Sequence, residues 1–127
     1  MQNIDLGKLI LRVIGGGFML THGIPKLMKL LSGNLSFGDP IGVGPEISLG
    51  LTVFAEFICA LMILVGFKSK WATIPLMITM LVAAFIVHGT DPFGKKELAL
   101  LYFAIYTGIF FLGSGKYSID NLLNKRS

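Results

Sequence analysis

The sequence predicts an all-α fold: a four-transmembrane-helix bundle with antiparallel neighbours and both termini in the cytoplasm. Three observations carry that prediction. Of 127 residues, 54% are hydrophobic and only 14% are charged, whereas soluble domains carry about 25% charged residues. Mean hydropathy is +0.77. Four stretches reach or approach the ~20 apolar residues that a helix needs to cross a bilayer. So small a globule cannot hide that much apolar surface from water. The same figures exclude a disordered chain, a collagen-like chain and a nucleic-acid-binding tail, and they bound the chain to one domain, 1–127.

The first span is expected over residues 6–31. Arg12 interrupts its apolar run and no A-x-A-like site follows, so it reads as a retained helix and not as a signal peptide. Residues 32–46 form the single long loop, marked by Gly33, Gly38, Asp39-Pro40, Gly42 and Gly44-Pro45. Pro45-Glu46 suits the first turn of the next helix. The second span, 47–67, is the cleanest. Lys68 to Lys70 is a tight turn, which makes spans two and three antiparallel neighbours. The third span covers 71–89, and Asp91-Pro92 and Gly94 mark the turn after it. The fourth, 97–113, is short but rich in Phe, Tyr, Leu and Ile. Spans two to four lack the polar outer face, repeating every 3.6 residues, of a soluble bundle.

Lys and Arg exceed Asp and Glu by 11 to 7, for a net charge of +4. The basic residues stand at the ends of the apolar runs, where membrane proteins place them beside anionic headgroups. Nucleic acid is therefore not an expected partner. Lys8, Arg12, Lys68, Lys70, Lys116, Lys125 and Arg126 fall on one side, against Lys26, Lys29, Lys95 and Lys96 on the other. That bias puts both termini inside. Trp71 and Tyr117 are candidate interface anchors. The lone cysteine, Cys59, excludes an intrachain disulfide, a CxxC pair and a cysteine-based zinc site.

The informative residues are the polar ones within the spans, because a charge at membrane depth costs about 2.5–3.5 kcal/mol on insertion scales and turns toward the protein interior. Arg12, Gly15, Met19, His22 and Lys26 follow spacings of three and four and share one face of span one. Thr52, Glu56 and Cys59 form a similar stripe on span two. Tyr102 and Tyr106 lie four apart on span four. His88 ends span three and Glu97 opens span four. Turned inward, these stripes collect His22, Lys26, Glu56, His88, Glu97 and the tyrosines in the outer half. Each has a plainer role as well. Arg12 and Lys26 can snorkel to the surfaces, His88 and Glu97 can cap helix ends, and the tyrosines can be core or belt residues. His22 and Glu56 lie too deep to snorkel and are expected to be buried. Gly15-Gly16-Gly17 suits close helix packing, or room for a planar ligand. Pro25 is expected to kink span one and free the Thr21 carbonyl.

Leu11-Arg12, Gly15, Phe18, His22-Gly23 and Lys26-Leu27 in span one resemble the DoxX family. So do Phe54-Ala55-Glu56 with Leu64-Val65-Gly66-Phe67, then His88, Glu97 and the closing Gly113-Ser114-Gly115-Lys116-Tyr117-Ser118-Ile119-Asp120. The resemblance covers nearly the whole chain. Phe57-Ile58 stands where the family usually has a small-residue pair, which argues against close packing at that point. The resemblance implies a multi-pass protein of the bacterial cytoplasmic membrane. More distantly, the chain is similar to the DoxD-type subunit of thiosulfate:quinone oxidoreductases. That implies a quinone-linked redox subunit in sulfur, thiol or oxidative-stress metabolism, with His22, Glu56 and His88 catalytic and Arg12, Lys26, Glu97, Tyr102 and Tyr106 binding the ligand. The cofactor would be a quinone and the partners the bilayer, a redox protein and a second copy of the chain. Two other classes stay open: a non-enzymatic membrane scaffold and a small proton-coupled transporter. Haem is disfavoured, because His88 lies about two turns nearer the outer surface than His22.

Overall fold

The computed structural model describes residues 2–126, and among them the chain is helical with no strand. Helix α1 runs over 2–31 and α2 over Pro45–Val65. Helix α3 is Ser69–Val87, α4 is Phe93–Leu112 and α5 is Ile119–Arg126. Successive long helices pack side by side and α4 closes back on α1. Each of these neighbours runs antiparallel. Gly16 of α1 faces Ala60 and Leu64 of α2, while Gly23, two turns on, faces Glu56. Ser69 at the start of α3 meets Ser114 beyond the end of α4.

Local chemistry moves several boundaries from their expected places. Helix α2 opens on Pro45, whose missing N–H is not needed at a first position. It stops at Val65 and not at residue 67, because Gly66 takes the left-handed conformation (φ 77°). The Gly66 N–H then donates to Ile63 O and the Phe67 N–H to Met62 O, a Schellman ending. Helix α3 ends at Val87, so His88 lies just outside it. Helix α4 starts at Phe93, behind an extended Pro92, and Glu97 sits in its second turn and not at its opening. The helix continues past Pro25, which has no N–H to offer the Thr21 carbonyl, so that carbonyl is freed as expected. The long helices also carry π turns, at Val13–Phe18, Phe54–Cys59 and Ala83–Val87.

Helix α5 was not anticipated. The sequence carries its cap: the Asn121 N–H donates to Ser118 Oγ, and Asp120 occupies the first turn.

Polar groups inside and large apolar groups outside is the pattern of a lipid-facing protein. Arg12 is 1% exposed and Glu56 4%, whereas Phe111 is 79% and Phe18 58% exposed. Ile47, Leu51, Phe54, Ile58 and Val65 form an outward apolar stripe along α2, and Trp71, Ile78 and Phe85 do the same on α3. Among the described residues, α2 and α3 are long and apolar enough to cross a membrane. The interior is filled by Met19, Leu49, Ile63, Leu76, Tyr106, Ile109 and the small Ala55, Ala60, Ala72 and Ala84.

Close packing does occur at Glu56-Phe57, against the expectation raised by Phe57-Ile58, because the small residue is on the other helix. A methyl group on Gly23 would fall well inside van der Waals contact of the Glu56 carbonyl, and one on Gly16 would lie 2.6 Å from the Ala60 carbonyl oxygen. Helices α1 and α2 therefore touch backbone to backbone, the use of small residues expected between membrane helices.

A polar cavity around the Lys26–Glu56 pair

A cavity of about 240 Å³ opens among the four long helices at the end opposite the termini. Helix α1 contributes Met19, His22 and Lys26, at spacings of three and four that hold them on one face. Glu56 comes from the π turn of α2, and Met80 and Ala83 from α3. His88 follows α3, and Lys95, Leu98, Ala99 and Tyr102 line the wall from α4. A π turn inserts one residue into a helix and re-aims side chains, and such turns are frequent at functional sites. All three border this region: one carries Glu56, one carries Ala83, and one ends next to Met19.

The Lys26 ammonium donates to Glu56 Oε1 at 2.6 Å. The Glu56 side chain is 5% exposed and that of Lys26 32%. Buried carboxylate and ammonium groups are tolerated in apolar surroundings when paired in this way. Among the described residues Lys26 is the sole hydrogen-bond partner of Glu56, through one oxygen, so the second oxygen is left to the cavity. The Tyr102 ring meets the His22 ring edge to face at 5.9 Å and stacks on Tyr106 at 6.0 Å. Tyr106 lies behind Tyr102, fully buried, and its hydroxyl donates to Gly15 O at 2.7 Å within the first π turn. His88 Nδ1 pairs with Asp91 at 2.9 Å, which holds the ring at the cavity rim.

Of the residues singled out in the sequence, His22, Lys26, Glu56, His88 and Tyr102 therefore come together. His22 is exposed at the cavity edge and not buried as expected. Lys26 does not snorkel away but turns in to Glu56. Tyr106 supports the site from behind. Glu97 is exposed and does not line the cavity. Arg12 lies at the opposite end and binds the chain after α4. Its Nη1 donates to Ser114 O at 2.9 Å and Tyr117 O at 2.8 Å, and its Nη2 donates to Tyr117 O at 2.7 Å. Sequence reasoning missed Lys95, Met80 and Ala83 in the cavity wall. Lys95 had a signal, since it lies seven residues before Tyr102 and so on the same helix face.

An all-helical chain with an apolar outer surface and a charged pair facing an internal cavity defines a helical membrane protein with a built polar site. The chain belongs to the DoxX family, whose sequence pattern matches residues 7–89. That match takes in Arg12, His22, Lys26, Glu56 and His88, and leaves the α4 wall outside it. The chain is 31% identical to the inner membrane protein YqjF of Escherichia coli (strain K12), over 96% of this chain and 95% of the relative. It is 27% identical to an uncharacterized membrane protein of Mycobacterium tuberculosis, over 94% of this chain and 82% of that one. No solved structure matches.

Proposed function

We propose that the chain is a four-span helix bundle of the bacterial inner membrane, with both termini on the cytoplasmic side, that receives a quinone in its polar cavity and exchanges protons with it as a redox subunit. The carrying observation is one cavity in which a paired carboxylate and ammonium, two imidazoles and a phenol meet apolar walls. A quinone head needs hydrogen-bond donors for its two carbonyls and a dry, apolar surface for its ring. Tyr102 and His22 have no hydrogen-bond partner among the described residues and supply donors; Met19, Met80 and Leu98 supply the surface. Bound there, a quinone would carry electrons and take up protons on its oxygens. Glu56 is the carboxyl group that would pass the proton, held in the cavity by its hydrogen bond from Lys26. His88, at the rim and linked to Asp91, connects the cavity with water. Electrons arrive from a redox partner protein or a soluble reductant.

The test is binding. A menaquinone analogue at a hundredfold excess over its Kd is expected to stabilise the purified protein by about 2.7 kcal/mol, which raises Tm by roughly 5–10 °C. Glu56→Gln keeps the shape and a hydrogen bond to Lys26, so it should fold and bind yet lose proton-linked turnover. No thermal shift, with no quinone co-purifying, overturns the quinone reading. Loss of proton-coupled uptake in Glu56→Gln proteoliposomes would assign the cavity to a small transporter, and an effect on stability alone would leave a scaffold.

A further inference from the structure

We propose that the end carrying the termini is a docking surface for anionic lipid headgroups, formed by Lys68, Lys70, Lys116 and helix α5. It rests on the membrane character of the chain and is independent of what the cavity binds. The three ammonium groups each lie over an aromatic ring: Lys68 5.5 Å from the centroid of Phe67, Lys70 4.9 Å from Phe110 and Lys116 5.9 Å from Tyr117. None of the three pairs with a carboxylate among the described residues. The nearby acids accept instead from backbone N–H groups and a hydroxyl. Asp5 accepts from the Lys116 N–H at 3.2 Å, and Asp120 accepts from the Lys68 N–H at 2.8 Å and from Ser114 Oγ at 2.6 Å. This end therefore presents three cations without a carboxylate partner among the described residues, and one of them lies over Tyr117, an aromatic of the kind that sits at headgroup level.

Lys68 makes the case more specific. Its φ is 47°, and it is the one non-glycine residue among those described with a left-handed backbone. Glycine would adopt that conformation without strain. A strained residue held in place by Asp120 points to a use for its side chain. Beside it, α5 exposes Leu122 (60%) and Leu123 (48%), which leaves an apolar edge next to the cations. Charge and apolar edge together fit a phosphate-bearing lipid surface, with the leucines in the acyl boundary and the ammonium groups on phosphates.

The experiment presents the full chain with equal amounts of phosphatidylglycerol and phosphatidylcholine and counts retained lipids by native mass spectrometry. The wild type is expected to retain phosphatidylglycerol at least tenfold over phosphatidylcholine, with the ratio falling as salt rises. The triple variant Lys68→Gln, Lys70→Gln, Lys116→Gln should fall to about parity at unchanged Tm. Lys68→Gly should keep or raise Tm, because the strain is removed, and lower the enrichment about fivefold; it decides the matter if the triple variant fails to fold. Equal retention by the wild type overturns the proposal. So does enrichment that survives both variants, or a face that captures an acidic soluble protein while showing no lipid preference.

Discussion

Gly23→Ala is expected to destabilise the protein by about 3 kcal/mol or more, the upper end of what overpacking a core costs. Most small-to-large changes are absorbed by a side chain that moves aside. Here the obstacle is the carbonyl of Glu56, part of the α2 backbone, and it cannot swing away. Alanine at 23 must push α1 from α2, and that shift carries Lys26 away from Glu56, since both sit within one turn of the contact. Loss of stability and loss of the ion pair should therefore appear together. Gly17→Ala is the control. A methyl group there would meet only Leu64 Cδ1, at 3.8 Å, an ordinary contact. Helix propensity then favours alanine by about 1 kcal/mol. Equilibrium unfolding in detergent checks both. A Gly23→Ala protein as stable as the wild type would mean that α1 and α2 are not in backbone contact.

Arg12→Leu is the second large effect, at about 2–4 kcal/mol, the scale for losing hydrogen bonds to a charged group and leaving buried carbonyls unpaired. Three charge-assisted hydrogen bonds disappear and the Ser114 and Tyr117 carbonyls lose their partner. Gly66 packs against the same guanidinium, with the site of its absent Cβ 2.6 Å from Nη1, so the turn after α2 is affected too. The segment from Gly113 onward should detach before the rest unfolds. Limited proteolysis is expected to cut after Leu112 in Arg12→Leu under conditions that leave the wild type whole. Arg12→Lys restores the charge but not the forked donor geometry, and is expected to recover less than half of the loss. If Arg12→Leu keeps wild-type Tm and protease resistance, the clasp carries no stability.

Helix identity and the inward stripe of α1 were legible in the sequence, because apolar length and three-four spacing depend on the chain alone. So was the meeting of His22, Lys26, Glu56, His88 and Tyr102. A charge at membrane depth must turn inward, and antiparallel neighbours bring these positions to one level. The fate of Arg12 was not legible. Snorkelling and ligand binding were the natural roles for an arginine two turns inside a span, and its actual partners are carbonyls more than 100 residues away. The π turns were also hidden: Phe54–Cys59 has no glycine or proline to announce one. Helix α5 was not legible because its eight residues are too few and too polar to register as a span, although Ser118 caps it. Close contact at Glu56-Phe57 was not legible on α2, because the small residue that makes room for it is Gly23 of α1.

As a quinone site, the cavity beside the Lys26–Glu56 pair would hold a lipid-soluble ligand with hydrogen-bonding carbonyls. The most direct measurement is an experimental map of the protein isolated from its own membrane without added ligand. Planar density is expected between Met19, Met80 and Leu98, within hydrogen-bond reach of Tyr102 or His22, and it should disappear in a Tyr102→Ala, His22→Ala protein that still folds. A cavity filled only by ordered water, with Lys26 and Glu56 paired as they are here, would contradict it.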